Sequence, residues 1–167
     1  MTELRSERLL LRRLTLDEAR AVVALDRAGR AWAEDYPTEG DLVVAGIAVE
    51  AGEHYDDAGV FGVYQVLLAE SDEVVGGIGF IHPPEAGAVE VGYGLAESVR
   101  GRGLATEALL AVLALTADNS VQQVVAMTDP DNGASQRVLE RCGFERCEEL
   151  VQDDEGPMIR WERSLLV

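Results

Sequence analysis

The sequence predicts one α/β domain of about seven strands and about four helices, and three observations predict it. Strand-like and helix-like runs alternate along the whole chain in the order β-α-α-β-β-β-α-β-α-β-β, separated by turn residues. Leu104 to Ala117 is almost wholly apolar with Glu107 as its one charge, which at that length reads as a buried helix. Val124-Val125-Ala126-Met127 suits a parallel strand covered on both faces. At 167 residues the chain is of single-domain size and long enough for a proper core.

Taken in order, Arg8 to Leu14 reads as the first strand. Thr15 with Glu18 three residues on forms a capping box for a helix carrying Ala19, Val22, Val23 and Leu25 and ending near Gly29. An irregular stretch from Trp32 to Asp41 follows, then a second helix from Leu42 to about Gly52. Val60 to Ala69 and Val74 to Ile81 are strands joined by a polar turn, and Ala88 to Ala96 is the next. After the apolar helix come a strand from Val121 to Thr128 and a short helix from Ala134 to Cys142, stopped by Gly143. Glu145 to Val151 and Met158 to Leu165 close the sheet around a turn at Asp153-Asp154-Glu155-Gly156.

The composition excludes several classes of function. A net charge of −17 argues against nonspecific binding to nucleic acid or to an anionic membrane. The longest apolar run, Ala108 to Leu115, is far short of the about 20 residues a membrane span needs. The N-terminus mixes charge with leucine too early for a secretory signal, so a cytoplasmic protein with reduced Cys142 and Cys147 is expected. His54 and His82 have no metal-ligand spacing, and no metal is expected.

The chemistry centres on Ser98-Val99-Arg100-Gly101-Arg102-Gly103-Leu104-Ala105-Thr106, a glycine-rich turn between a strand and a helix. Such a turn leaves the first helical amides unpaired and aimed at one point, where the helix dipole adds positive potential. Arg100 and Arg102 add charge, so the turn is an anion site suited to a diphosphate. The field of the acidic chain repels such a ligand, but screening over roughly 8 Å at physiological salt lets local geometry prevail. A P-loop lysine is missing, and Thr106 stands where a dinucleotide fingerprint has its third glycine.

Arg100-Gly101-Arg102-Gly103-Leu104-Ala105 resembles the acetyl-CoA pyrophosphate loop of the GNAT acetyltransferases, [R/Q]-x-x-G-x-[G/A]. Asn132 to Phe144 resembles the N-x-x-S-x-R-[VL]-x-x-x-x-G-F segment of the RimJ/RimL branch, the ribosomal-protein N-terminal acetyltransferases. The resemblance covers nearly the whole chain. It implies a mixed, mostly antiparallel sheet in which one parallel strand pair splays apart to admit the pantetheine arm. It also implies acetyl-CoA as cosubstrate, bound by backbone near Leu95 and Ala96 and by the loop from Arg100 to Thr106 (Arg100, Gly101, Arg102, Gly103, Leu104, Ala105, Thr106). Asn132 would help to position the cofactor, and Arg137, with Arg141 one turn on, would reach the adenosine end or else form a solvated helix face.

The implied reaction is direct acetyl transfer to a primary amine, on a peptide terminus or a small molecule, by a monomer or homodimer; a non-catalytic acyl-CoA-binding module is the alternative. Transfer needs a base for the protonated amine and an acid for the leaving thiolate. By family position Glu90 is the base, against a solvated strand residue. Many relatives carry a tyrosine acid where this chain has Leu139, and the branch pattern puts Ser135 in that role, against a plain place in the helix start capped by Asn132. Trp32, Glu34, Asp35 and Tyr36, with Glu39 and Asp41 after them, would wall the acceptor site and favour a cationic amine, or else anchor a loop with solvated acids.

Overall fold

In this computed structural model, residues 3–117, 119–152 and 156–165 are described, without the side chains of Val151 and Gln152. The strands are β1 (Glu3–Arg5), β2 (Leu9–Arg13), β3 (Val63–Leu68), β4 (Val74–Phe80), β5 (Ala88–Leu95), β6 (Gln123–Thr128), β7 (Glu145–Gln152) and β8 (Gly156–Ser164). The helices are α1 (Leu16–Val23), α2 (Glu39–Ala51), α3 (Leu104–Ala117) and α4 (Gly133–Arg141), with 3-10 turns at Gly52–Phe61 and Glu97–Val99. One sheet holds all eight strands in the order β1-β2-β3-β4-β5-β6-β8-β7. Only β5 and β6 run parallel; the other neighbouring pairs are antiparallel. The expected mixed, mostly antiparallel sheet is therefore present, with the short, charged β1 as an added edge strand.

Helix boundaries depart from expectation at two places. Thr15 and Glu18 make the capping box, but α1 ends at Ala24, well before Gly29. Leu25 itself takes the left-handed conformation (φ 55°), and Asp26 N–H donates back to Ala21 O while Leu25 N–H donates to Val22 O. This closes the helix in the manner usually assigned to glycine. The second helix starts three residues earlier than expected, because Thr38 and Asp41 form a second capping box. Glu39, Gly40 and Asp41 thus belong to the first turn of α2. The turn expected at Asp153 to Glu155 lies outside the described residues.

Helix α3 spans the predicted residues, its core face formed by Leu104, Ala108, Leu109, Val112 and Leu113. Each of these leucine and valine side chains contributes about 1.5–3 kcal/mol on burial. The opposite side shows Leu110 half-exposed, so the helix is covered on part of its circumference only.

Buried Arg13 fixes the 3-10 segment after α2. Its guanidinium lies 4.3 Å from the Tyr55 ring centroid. It donates to Gly59 O (2.9 Å), Leu14 O (3.0 Å) and Tyr55 O (3.4 Å). A side chain at Gly62 would fall on the guanidinium, which is why glycine stands there.

Candidate active site

The parallel strands part midway. Register between β5 and β6 runs from Ala88 opposite Gln123 to Val91 opposite Ala126 and stops. Beyond that point β5 stays paired with β4 as far as Leu95, and β6 stays paired with β8 through Thr128. A gap therefore opens in the sheet beside Gly92 to Leu95. Ala96 N–H donates to Val75 O (2.7 Å) and Ile81 N–H to Glu90 O (2.9 Å), so the backbone groups of even-numbered β5 residues face β4. By alternation those of Tyr93 and Leu95 face the gap. Of the two expected backbone donors, Leu95 is thus placed to serve. Ala96 is not, because its N–H is spent within the sheet.

The glycine-rich turn lies at the start of α3. Gly101 (φ 79°) and Gly103 (φ 75°) hold the left-handed conformations the turn requires. Gly101, Arg102 and Gly103 are exposed, and a Cβ on Gly101 would meet nothing within 4 Å. Bare backbone therefore faces outward where the unpaired amides of Leu104, Ala105 and Thr106 begin. An anionic diphosphate fits these residues.

Two clamps hold the turn. Arg8 donates Nη1 to Arg102 O and Nε to Glu107 Oε2, both at 2.8 Å, while Glu107 Oε1 accepts from Arg8 N–H and Ser6 Oγ at 2.6 Å. Burial pushes the Glu107 carboxyl up, but those bonds outweigh it and hold it below the ordinary range. On the other side Asp35 accepts from Ser98 N–H (2.8 Å) and Ser98 Oγ (2.7 Å), bonds that hold its pKa below the usual value. Arg100 Nε donates to Leu95 O (3.1 Å), tying the turn to the edge of the gap.

At the other side of the gap Asn132 caps α4, its Oδ1 accepting from Ser135 N–H at 3.1 Å. Tyr93 reaches over from β5 and bonds Ser135 through its hydroxyl, Oη to Oγ at 2.8 Å and Oη to the carbonyl at 3.1 Å. Burial pushes the Tyr93 phenol up to about 12 against the opposing effect of the Ser135 bond. Leu139, in the place of the familiar tyrosine, is fully buried. Tyr93 shares a face with Val91, and its ring packs against the core while its hydroxyl reaches out to Ser135. Glu90 is half-buried on β5 opposite Val125 and shares a face with Gly92 and Gly94. Arg137 and Arg141 are exposed on α4. Cys142 is buried and Cys147 exposed, both as free thiols.

A cavity of about 400 Å³ lies between α2 and the middle strands, with Tyr36, Asp41, Val44, Ile47, Phe61 and Gly94 in its wall. Its floor contains the register pairs Gly77–Gly94 and Gly79–Gly92. A Cβ on Gly77 would collide with Asp41 Oδ1, and one on Gly94 would touch Thr38 Oγ1 at 3.6 Å. Asp41 Oδ2 is held by Thr38 N–H (2.9 Å) and Thr38 Oγ1–H (2.8 Å). Burial pushes the Asp41 carboxyl above its ordinary range against those two bonds.

Of the six residues expected to wall the acceptor, Tyr36 and Asp41 line this cavity. Tyr36 is held at its far end. Its hydroxyl accepts from Gln65 Nε2 at 3.1 Å, and burial, then the charge of Asp41, pushes its pKa far up. Trp32 is buried edge-on to Tyr36, ring centroids 5.2 Å apart, and anchors the segment at Val74 of β4. Glu34 is exposed, and Asp35 serves the glycine turn.

Comparisons with known proteins agree with this architecture. Residues 8–145 match the family model described as the acetyltransferase (GNAT) domain. The uncharacterised N-acetyltransferase YjdG of Bacillus subtilis (strain 168) is 33% identical over 87 residues, 50% of this chain and 51% of that protein. The uncharacterised N-acetyltransferase p20 of Bacillus licheniformis is 27% identical over 93% of this chain and 88% of its own length. Among solved structures, a GnaT-family acetyltransferase from Bordetella pertussis superposes with TM-score 0.72 at 27% identity, covering 98% of this chain and all of that one. RimL, a ribosomal L7/L12 alpha-N-protein acetyltransferase solved with coenzyme A, superposes with TM-score 0.75 at 20% identity, covering 98% of each chain, and so shares the fold. With the family model matched across most of its length and the strand gap and glycine turn in place, the chain belongs to the GNAT acetyltransferase family.

Proposed function

We propose that the protein transfers an acetyl group from acetyl-CoA directly to a primary amine. The observation that carries this reading is the parting of β5 and β6 after Val91 and Ala126, between an anion-binding turn and a cavity. The amides from Gly101 to Thr106, with Arg100 and Arg102, hold the diphosphate; Arg137 serves the adenosine end, and the Asn132 cap fixes the start of α4. When bound, acetyl-CoA supplies an acetyl group activated as a thioester.

The chain supplies the rest. The Leu95 N–H faces the gap, where it is placed to polarise the carbonyl as an oxyanion donor. Glu90 takes the proton of the incoming ammonium through water, since only the neutral amine is nucleophilic. Ser135 Oγ–H gives a proton to the departing sulfur and regains one from Tyr93 Oη–H, and water reprotonates the phenol.

Calorimetric titration with acetyl-CoA, followed by CoA-thiol release with a panel of amines, tests the proposal. Binding with amine-dependent release is expected. Saturation at a hundred times Kd adds about 2.7 kcal/mol of stability. Binding without amine-dependent release would reduce the chain to an acyl-CoA binder, and no binding would reject the site.

A further inference from the structure

We propose that the cavity under α2 is the acceptor site, and that it takes a primary amine on an uncharged, apolar skeleton. Asp41 receives the ammonium group, and the skeleton lies along the glycine strip of β4 and β5. This rests on the reading that the gap beside Leu95 is where transfer occurs.

Position comes first. Asp41 Oδ1 stands over Gly77, which pairs in register with Gly94, the residue before Leu95. Neighbouring strands lie about 4.8 Å apart. An ammonium group on Asp41 is therefore about one strand spacing from β5, beyond which the gap opens. Over the intervening Gly94 the nearest side-chain atom is Thr38 Oγ1, a small hydroxyl.

Charge comes second. Asp41 is the one carboxylate in the cavity wall, and neither arginine nor lysine lines it among the described residues. Burial raises its pKa, and an ammonium group supplies a counter-charge to it. Apart from the His82 imidazole, no basic side chain among the described residues of the wall would receive a substrate carboxylate. This disfavours free amino acids.

The walls settle the skeleton. Val43, Ile47 and Ile81 line the cavity yet are 63%, 55% and 50% exposed, an apolar surface left to water. Val44 and Phe61 continue it inward, and Gln65 already donates to Tyr36. A polar peptide would lose its water here for few hydrogen bonds. The volume is that of a small-molecule pocket.

Calorimetry with 2-phenylethylamine, 2-phenylethanol and ethanolamine reads this site without any chemistry. The amine should bind at least tenfold more tightly than either comparison compound. Asp41→Asn should abolish the preference of amine over alcohol. Ile47→Asn, at an exposed position that tolerates it, should weaken the amine severalfold and leave acetyl-CoA affinity unchanged. Equal binding of ethanolamine and phenylethylamine, or an Asp41→Asn protein with its preference intact, would overturn the proposal. If Asp41→Asn fails to fold, the wild-type ratio of amine to alcohol decides alone. Amine binding that depends on Asp41, without thiol release, would uphold the pocket while refuting the transfer reaction.

Discussion

Tyr93 Oη lies 2.8 Å from Ser135 Oγ, joining β5 to the first turn of α4 across the parallel strand pair β5–β6. In the proposed reaction this pair, drawn from two elements, would serve as the hydroxyl relay that Leu139 does not provide. With its pKa near 12, the Tyr93 phenol stays protonated below that value, so no limb of a pH–rate profile near neutrality belongs to it.

Ser135→Ala should lower kcat about 10²- to 10⁴-fold with acetyl-CoA affinity nearly unchanged. Tyr93→Phe should cost roughly tenfold, the worth of one hydrogen bond of about 1.4 kcal/mol. The double variant should be no slower than Ser135→Ala alone. Losses that multiply would separate the two hydroxyls, and unchanged turnover in Ser135→Ala would leave that serine as part of the helix start.

Gly103→Val places a branched side chain at φ 75° on the exposed face of the turn. Acetyl-CoA affinity should collapse, with a stability cost of about 1–2 kcal/mol for the left-handed backbone. Calorimetry and thermal melting read the two effects separately. Retained affinity would place the anion site elsewhere.

Asp35→Ala should raise the Kd for acetyl-CoA and leave the amine KM unchanged, since its carboxylate holds Ser98 beside the glycine turn. Steady-state kinetics with each substrate varied in turn distinguishes this from an acceptor role. A raised amine KM alone would restore the acceptor reading.

The Arg8–Glu107 clamp makes stability depend on pH. Glu107 is held below its ordinary value of 4.5, so its contribution is complete above that pH and fades as pH falls through the lower folded value. Glu107→Gln should therefore cost about 1.5–3 kcal/mol near neutrality. In urea melts across pH, the difference from wild type should close in acid. A difference independent of pH would assign the effect to packing.

Periodicity made the strands and α3 legible, because an apolar run of fourteen residues between turn signals has few alternatives. Thr15 and Glu18 announced α1, but Thr38-x-x-Asp41 carries the same capping signal with aspartate in place of glutamate and was read as loop. Asp41 itself belongs to the acidic stretch expected to wall the acceptor; what the capping signal adds is its place in the first turn of α2, over Gly77. The gap in the sheet came from the family resemblance, since alternation along β5 continues unbroken through the point where β6 departs. Tyr93 was obscured for a related reason: alternation assigns a face, whereas the partner of a hydroxyl depends on which helix covers that face. Asp35 was drawn toward the acceptor by its acidic neighbours, although its bonds cross 63 residues to Ser98.

The glycine pairs of β4 and β5 also set where the sheet yields. Cross-strand side-chain pairs contribute roughly 0.2–1 kcal/mol each, and Gly77–Gly94 and Gly79–Gly92 contribute none. On the cavity face these two strands are joined there by backbone hydrogen bonds without cross-strand side-chain pairs, next to an edge that β6 has already abandoned. Local opening should therefore be easiest in the centre of the sheet, ordinarily its slowest-exchanging part. A molecule lying on the strip would supply the missing contacts, so the amides of Gly77 and Gly94 should exchange with deuterium more slowly once the cavity is filled.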